Sequence, residues 1–496
     1  MDSAERQKQS GAYYTPEDAV RSLVSWVVRQ PADRMLDPSA GDGRFLALHR
    51  RSVGIEQDPE SAAVASKRAP WALVHEGDFF RWAASTKERF ECAAGNPPFI
   101  RYQRFNGAIR DNALKLCRAL GASFSSLTSS WAPFLVATAS LLKPGGRLAF
   151  VVPAEFGHAP YAQPLLEYLL SHFADVRLLA VRNKIFPNLS ENVWLLFADG
   201  FGQSTDHFLF SITEKFMFSP SPPEYGRKVA VAEWQQWNGR LRPFLLPERT
   251  QTLYQEAITR PTTYRMGDIA QVSIGYVTGA NDFFHLRPSE AAKARIPESF
   301  LHPTVRNGRL LIGNAITKST VREWHRKDEP FLLLKVSDVN RLPASVRRYL
   351  ASSSAREAQS SYKCSNRDPW YVVPDVVVPD AFLSYMSGDG PMLVANRAKC
   401  SCTNSLHTVR LRKRIAIGQL QATWSHPFTK LSCEIEGHPL GGGMLKIEPR
   451  EAQRVALDTR KQWTKSNLSV IEEGLFELQR WRRADGKEET ADVRAD

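Results

Sequence analysis

Residues 95–99 read Gly-Asn-Pro-Pro-Phe and follow the apolar run Phe90–Ala94. Two consecutive prolines hold φ at about −65° and donate no N–H, so the segment can neither extend a strand ladder nor enter a helix. The run before it is therefore a buried strand that ends in a stiff turn. That turn offers one side-chain amide (Asn96), the bare carbonyls of Pro97 and Pro98, and one aromatic face (Phe99). These groups suit an exocyclic amine. Two oxygens accept its two hydrogens, and a flat ring stacks on the base that carries it. Oxygens held still in a water-poor pocket stabilise the positive charge that develops on an attacking nitrogen. The alternative, for the stretch taken alone, is a strand-to-loop turn with two prolines.

Its upstream context argues against that bland explanation. Met35–Asp37 reads as a strand, and Pro38-Ser39-Ala40-Gly41-Asp42-Gly43 as a tight turn leading into a helix. Gly41 and Gly43 let the backbone approach a ligand closely. The turn lacks the third glycine of a dinucleotide fingerprint and the Gly-Lys-Ser/Thr end of a phosphate loop. Asp37 would repel a pyrophosphate but suits a cation, such as a sulfonium with an amino-acid tail. Val53–Ile55 reads as a second strand with Glu56 at its carboxyl end, 15 positions beyond Gly41. An acid in that place grips ribose hydroxyls in nucleoside-binding sheets. A third strand, Ala72–His75, runs into Gly77-Asp78-Phe79-Phe80. There Asp78 can accept from an adenine amine while Phe79 lies against its ring. A lone strand-end carboxylate is usually a cap. Four such strand ends in order lie where open α/β sheets bind ligands. Ahead of them, Thr15 is expected as an N-cap and Pro16 as the first residue of a helix carrying Val20, Leu23, Val24 and Val27 on one face.

The chain has 496 residues, 43% of them apolar, which suffices for two or three domains with full cores. It contains no run of 18 apolar residues, and residues 1–10 are polar, so neither a membrane span nor a signal peptide is expected. Six irregularly spaced cysteines make no disulfide framework and point to a reducing, cytoplasmic setting. A net charge of +13 favours a polyanionic partner, nucleic acid first, over a merely basic solvated surface.

In this order the motifs resemble the S-adenosylmethionine-dependent DNA N6-adenine methyltransferases of gamma motif order. These are the Taq-type and Eco57I-like enzymes of restriction–modification systems. The resemblance covers residues 11–200 motif by motif and the C-terminal half less specifically, through Gly275–Phe284 and Gly441–Pro449. It implies an α/β fold: a Rossmann-like methyltransferase sheet with helices on both faces, followed by a mixed α+β target-recognition domain. It also implies roles. Thr15 closes over the methionine moiety of the cofactor, and Asp37, Pro38, Ser39, Ala40 and Gly41 line it. Glu56 holds the ribose, Asp78 the adenine amine and Phe79 the ring edge. Phe134 packs on the cofactor's adenine, although core packing would explain it nearly as well. Asn96 and the Pro97 carbonyl bind the target amine, Pro98 stiffens the turn, and Phe99 stacks on the target base where many relatives carry Tyr. Phe186 touches the flipped base from its other side, with a generic loop phenylalanine as the alternative. The implied partners are double-stranded DNA and a cognate restriction endonuclease. Two other assignments share this site: an RNA or protein-glutamine methyltransferase, and a catalytically silent DNA-binding subunit.

Farther along, helices are expected over Ser130–Leu142 and Leu166–Phe173, with a helix stop and turn at Lys143–Gly146. Strands are expected at Arg147–Pro153, Val176–Val181 and Trp194–Phe197. Proline-rich Ser219–Gly226 is expected as a linker. It would separate a catalytic domain (1–218) from a recognition domain (227–484) and a disordered tail (485–496). Short strands are expected at Phe331–Val336, Trp370–Val373, Val376–Val378 and Thr408–Leu411, with basic clusters between them, among them Lys318, Arg322, Arg326 and Lys327. Such clusters contact phosphates, while sequence is read at base edges. Cys400, Cys402, His407 and Cys433 lack a zinc-knuckle spacing, so no metal site is expected.

Overall fold

The computed structural model describes residues 14–186, 192–412, 415–460 and 463–483. The expected tail, 485–496, lies outside them. The chain divides into two compact units, residues 1–245 with Arg483 onward, and residues 246–482.

In the first unit nine strands form one sheet: β1 (Met35–Asp37), β2 (Ser52–Glu56), β3 (Leu73–Glu76), β4 (Phe90–Gly95), β5 (Leu142–Pro153), β6 (Asp175–Val181), β7 (Val193–Asp199), β8 (His207–Thr213) and β9 (Arg227–Ala230). Their order is β3-β2-β1-β4-β5-β7-β6-β8-β9. The first five run parallel, and β7 is antiparallel to both β5 and β6. The helices of this unit that frame the site are α1 (Glu17–Val27), α2 (Pro59–Arg68), α3 (Phe79–Ser85), α4 (Gly107–Ala119), α5 (Trp131–Ala139) and α6 (Ala162–His172). The α/β methyltransferase-type sheet expected from the sequence is present.

Burial explains why the central strands are mostly apolar. Cys92, Ala94, Ala149, Val151, Leu195 and Phe197 share a cluster with Val20, Leu23, Val24, Trp26 and Val27 of α1. Their alternates Ala93, Leu148, Phe150 and Val152 are as fully buried. Successive strand residues face opposite sides, so both faces of the sheet are covered, as parallel strands require.

Four local expectations are corrected. Thr15 is not the N-cap of α1; Pro16 holds that position with extended ψ, and no side chain caps the helix. The helix expected after the glycine turn is only a 3-10 turn, Leu46–Leu48. Gly41 and Gly43 sit at φ of 53° and 80°, and the coiled turn uses up the residues a helix would need before β2. A Cβ on Gly43 would lie 2.7 Å from Ala65 Cα in α2. Gly43→Ala is therefore expected to cost about 2 kcal/mol, from left-handed strain plus overpacking. A lowered urea midpoint with an unchanged m-value would show it.

The third correction is Lys143–Gly146. It lies within β5, in a register shift opposite Phe90–Cys92, rather than ending a helix. The fourth is the expected linker. Ser219–Gly226 joins β8 to β9, which pair antiparallel from His207↔Ala230 to Phe210↔Arg227. Its ends are tied down within the first unit: Ser219 N donates to Ser22 Oγ at 3.0 Å, and Ser211 Oγ donates to the Tyr225 carbonyl. Proline-rich composition is the same in a linker and in a fastened loop; the pairing of the flanking strands decides between them.

The second unit is mixed α and β. Its largest sheet takes Ala270–Ile274, Leu406–Leu411, Ala381–Ser384, Leu393–Asn396 and Ala315–Ile316 in that order. Leu332–Leu334 is a strand in another sheet. Trp370–Val373 and Val376–Val378 are not strands. Pro369, Pro374 and Pro379 remove ladder donors around them, and Asp375 turns to φ 59°. Cys400 and Cys402 are buried in one cluster and Cys433 in another. Among the described residues no group of His, Cys, Asp and Glu could hold a metal, and no helix is long and apolar enough to cross a membrane.

Candidate active site

Chain order reverses in the sheet between β1 and β4, and open α/β sheets bind ligands in the crevice outside such a reversal. Asp37 closes β1 and Gly95 closes β4. A Cβ on Gly95 would lie 2.8 Å from Asp37 Oδ1 and 3.0 Å from Phe150 Cε1, so glycine lets the strand ends approach this closely. A hydrogen bond spans the crevice: Ser39 Oγ donates to the Asn96 carbonyl at 3.1 Å. The glycine turn and the Pro-Pro turn are thereby joined.

Carboxylates surround the glycine turn. Asp37 is fully buried; Oδ1 accepts from Ser39 N at 3.1 Å, and Oδ2 is buried without a hydrogen-bond partner. Burial pushes its carboxyl up to about 8, and the neighbouring Glu56 and Asp42 add to the rise. Glu56 accepts from Gly41 N at 2.8 Å and from Asp58 N at 2.9 Å, which fixes it across the turn from β2. Asp42 pairs with Arg44 and Arg68. Arg44 in turn donates to the Thr15 carbonyl at 3.1 Å and lies over the Tyr14 ring. Thr15 thus meets the site through its backbone. A Cβ on Gly41 would touch nothing within 4 Å, so that side of the turn is open. A buried acid with an unused oxygen beside an open turn favours a cationic ligand. That donor set fits the ammonium and sulfonium of S-adenosylmethionine.

Beside β3, Asp78 caps α3 by accepting from Arg81 N at 2.8 Å. Phe79 is buried and stacks on Phe134 at 5.0 Å between ring centroids and 21° between planes. Phe80 meets the same ring edge-on at 4.7 Å. Phe79 and Phe134, drawn from α3 and α5, are therefore brought together in one wall.

Across the crevice, Pro97 is buried, and Asn96 and Phe99 are half-buried. Phe99 packs against the α1 cluster, which also holds the buried Phe186. The two aromatics assigned to the target base thus rest on the same apolar support. The Pro-Pro turn is gripped by Ser130 at the start of α5. Its hydroxyl donates to the Pro98 carbonyl and accepts from Ile100 N at 3.0 Å.

Asp42, Arg44 and Ser130 escaped the sequence reading. Asp42 sits inside a turn read for its glycines. Arg44 reaches Thr15 across 29 positions and Ser130 reaches Pro98 across 32, so no local pattern announces either.

Two family models match in succession. Residues 55–186 match the Eco57I restriction-modification methylase, and residues 238–484 match the C-terminal domain of Type II methyltransferase M.Eco57I. The chain belongs to the Eco57I restriction–modification methylase family. The Eco57I-type chain is 24% identical over 490 residues to Type II methyltransferase M.XamI of Xanthomonas campestris pv. amaranthicola, covering 91% of this chain and 86% of that protein. It is 19% identical over 487 residues to M.AccI of Acinetobacter calcoaceticus, with the same coverage. Among solved structures, the type IIG restriction endonuclease BpuSI aligns with 97% of this chain and 67% of its own, at 13% identity and TM-score 0.43. As an Eco57I-type methylase the protein is a DNA methyltransferase of restriction–modification type that uses S-adenosylmethionine.

Proposed function

We propose that this methylase transfers a methyl group to N6 of an adenine swung out of double-stranded DNA. The observation that carries the reading is the placement of Asn96–Phe99 at the carboxyl end of β4, one hydrogen bond from the glycine turn. Bound S-adenosylmethionine supplies an electrophilic methyl on a sulfonium. Asp37 would hold its ammonium, Glu56 its ribose, and Asp78 with Phe79 and Phe134 its adenine. Asn96 Oδ1 and the Pro97 carbonyl accept the two amine hydrogens of the target and draw its nitrogen toward tetrahedral geometry. Its lone pair is then free to attack. Swinging the base out costs roughly a few kcal/mol, and stacking on Phe99 returns about 1–3 kcal/mol of it. Phe186 steadies the base from the other side. The nitrogen loses its proton after transfer, when it is strongly acidic.

No covalent intermediate is called for. Cys92, on the same strand, is buried, and burial first, then the charges of Asp33 and Glu91, push its thiol far above its ordinary value. Such a thiol is a poor nucleophile, which supports an exocyclic amine over a ring carbon as the acceptor. The unit spanning 246–482 carries sequence recognition in this reading. Lys318, Arg322 and Arg326 stand exposed along one of its helices, with Lys327 at its C-cap, suited to phosphates. A cognate restriction endonuclease recognising the same site completes the system.

Transfer of tritium from labelled cofactor, followed by digestion to nucleosides, tests this. Label is expected in N6-methyldeoxyadenosine. Label in N4-methyldeoxycytidine would overturn the base assignment, and label in RNA or protein the substrate.

A further inference from the structure

The start of α5 does more than begin a helix. Ser130 occupies the N-cap position, yet its side chain caps nothing and its backbone is already helical. Its hydroxyl is spent elsewhere. Oγ donates to the Pro98 carbonyl and accepts from Ile100 N at 3.0 Å. Ser130 N donates in turn to the Ile100 carbonyl at 3.0 Å. The Pro98 carbonyl and the Ile100 N–H belong to the two peptide units on either side of Phe99. One hydroxyl, acting as donor and acceptor together, therefore holds both.

Its own footing is firm. Phe134, one turn on, donates its N–H to the Ser130 carbonyl at 3.2 Å, and its ring stacks on Phe79. Every residue of α5 is buried. A loop gripped by a packed helix loses fewer conformations when the reaction demands one.

We infer that Ser130 is a positioning residue that fixes the peptide frame of Phe99, and with it the plane on which the flipped base stacks. The inference rests on the reading of Phe99 as the base platform. The residue needs a hydroxyl rather than bulk. Ser130→Ala removes one donor and one acceptor with almost no change in volume, whereas Ser130→Thr keeps both.

The test compares Ser130→Ala, Ser130→Thr and Phe99→Ala in the full chain. DNA methylation kcat and KM are measured on unmethylated DNA, and cofactor affinity by equilibrium dialysis with labelled S-adenosylmethionine. Ser130→Ala is expected to lower kcat about tenfold, from the loss of two hydrogen bonds to the loop. Its cofactor affinity should stay within about twofold of wild type, and Ser130→Thr should restore most of the rate. Wild-type kcat in Ser130→Ala, or a parallel loss of cofactor binding that marks general damage to α5, would overturn the inference. If Phe99→Ala itself turned over at the wild-type rate, the platform reading would fail instead. A slow Phe99→Ala beside a normal Ser130→Ala would sink the positioning role alone.

Discussion

Asn96→Ala is expected to lower the rate of methyl transfer at least ~100-fold while leaving cofactor affinity within about twofold, by analogy with the loss of one preorganised polar group at a developing charge. The side chain's contribution lies in the transition state. A free exocyclic amine shares its lone pair with the ring and is a weak nucleophile. Only when both hydrogens are held out of the ring plane does the nitrogen pyramidalise. Asn96 Oδ1 is shielded from solvent, so its dipole is not averaged by water. The separation of the two effects follows from geometry. The Asn96 main-chain oxygen meets the cofactor turn through Ser39. Alanine keeps that carbonyl. Single-turnover methylation with labelled cofactor measures the first quantity and equilibrium dialysis the second. A mutant as fast as wild type would remove Asn96 from the chemistry.

Cofactor affinity is expected to rise with pH from 6 to about 8, by up to tenfold per unit, and then to level off. The cause is Asp37. Its ordinary value of 3.8 is raised to about 8 by burial first, so below pH 8 the ligand-free protein carries it protonated. A cationic ligand favours the ionised carboxylate, so binding at pH 6 must release a proton and binding at pH 9 need not. Calorimetric titrations in buffers of different ionisation enthalpy report that proton directly. Binding at pH 6.5 without proton release would refute the assignment of Asp37 to the ligand's cationic tail. The stability of the ligand-free protein runs the opposite way. The folded state holds the proton more tightly than the unfolded chain, so this group's contribution is complete below pH 3.8. It is lost as pH rises to about 8, at up to about 1.4 kcal/mol per unit. Asp37→Asn should flatten both dependences and weaken the cofactor at every pH.

What the sequence determined by itself is what short-range covalent geometry and periodicity control. Pro97-Pro98 can only be a rigid turn, and the apolar runs at Met35–Leu36, Val53–Ile55, Phe90–Ala94 and Leu148–Val152 can only be buried strands; each lies in the expected strand. Their acidic or amide ends were legible for the same reason, as was the family. Tertiary structure decided everything that depends on which strands become neighbours. Inserting β4 beside β1 is what brings Asp37 against Gly95 and lets Ser39 reach Asn96 across 57 positions. The same folding puts Ser130 on both peptides around Phe99 and draws Phe134 onto Phe79. It also fastens Ser219–Gly226 between β8 and β9, where composition suggested a free linker. A hydroxyl or a proline has the same local propensity whether its partner is near or absent. The partner is chosen by the burial of both faces of one sheet, and burial is a property of the whole unit.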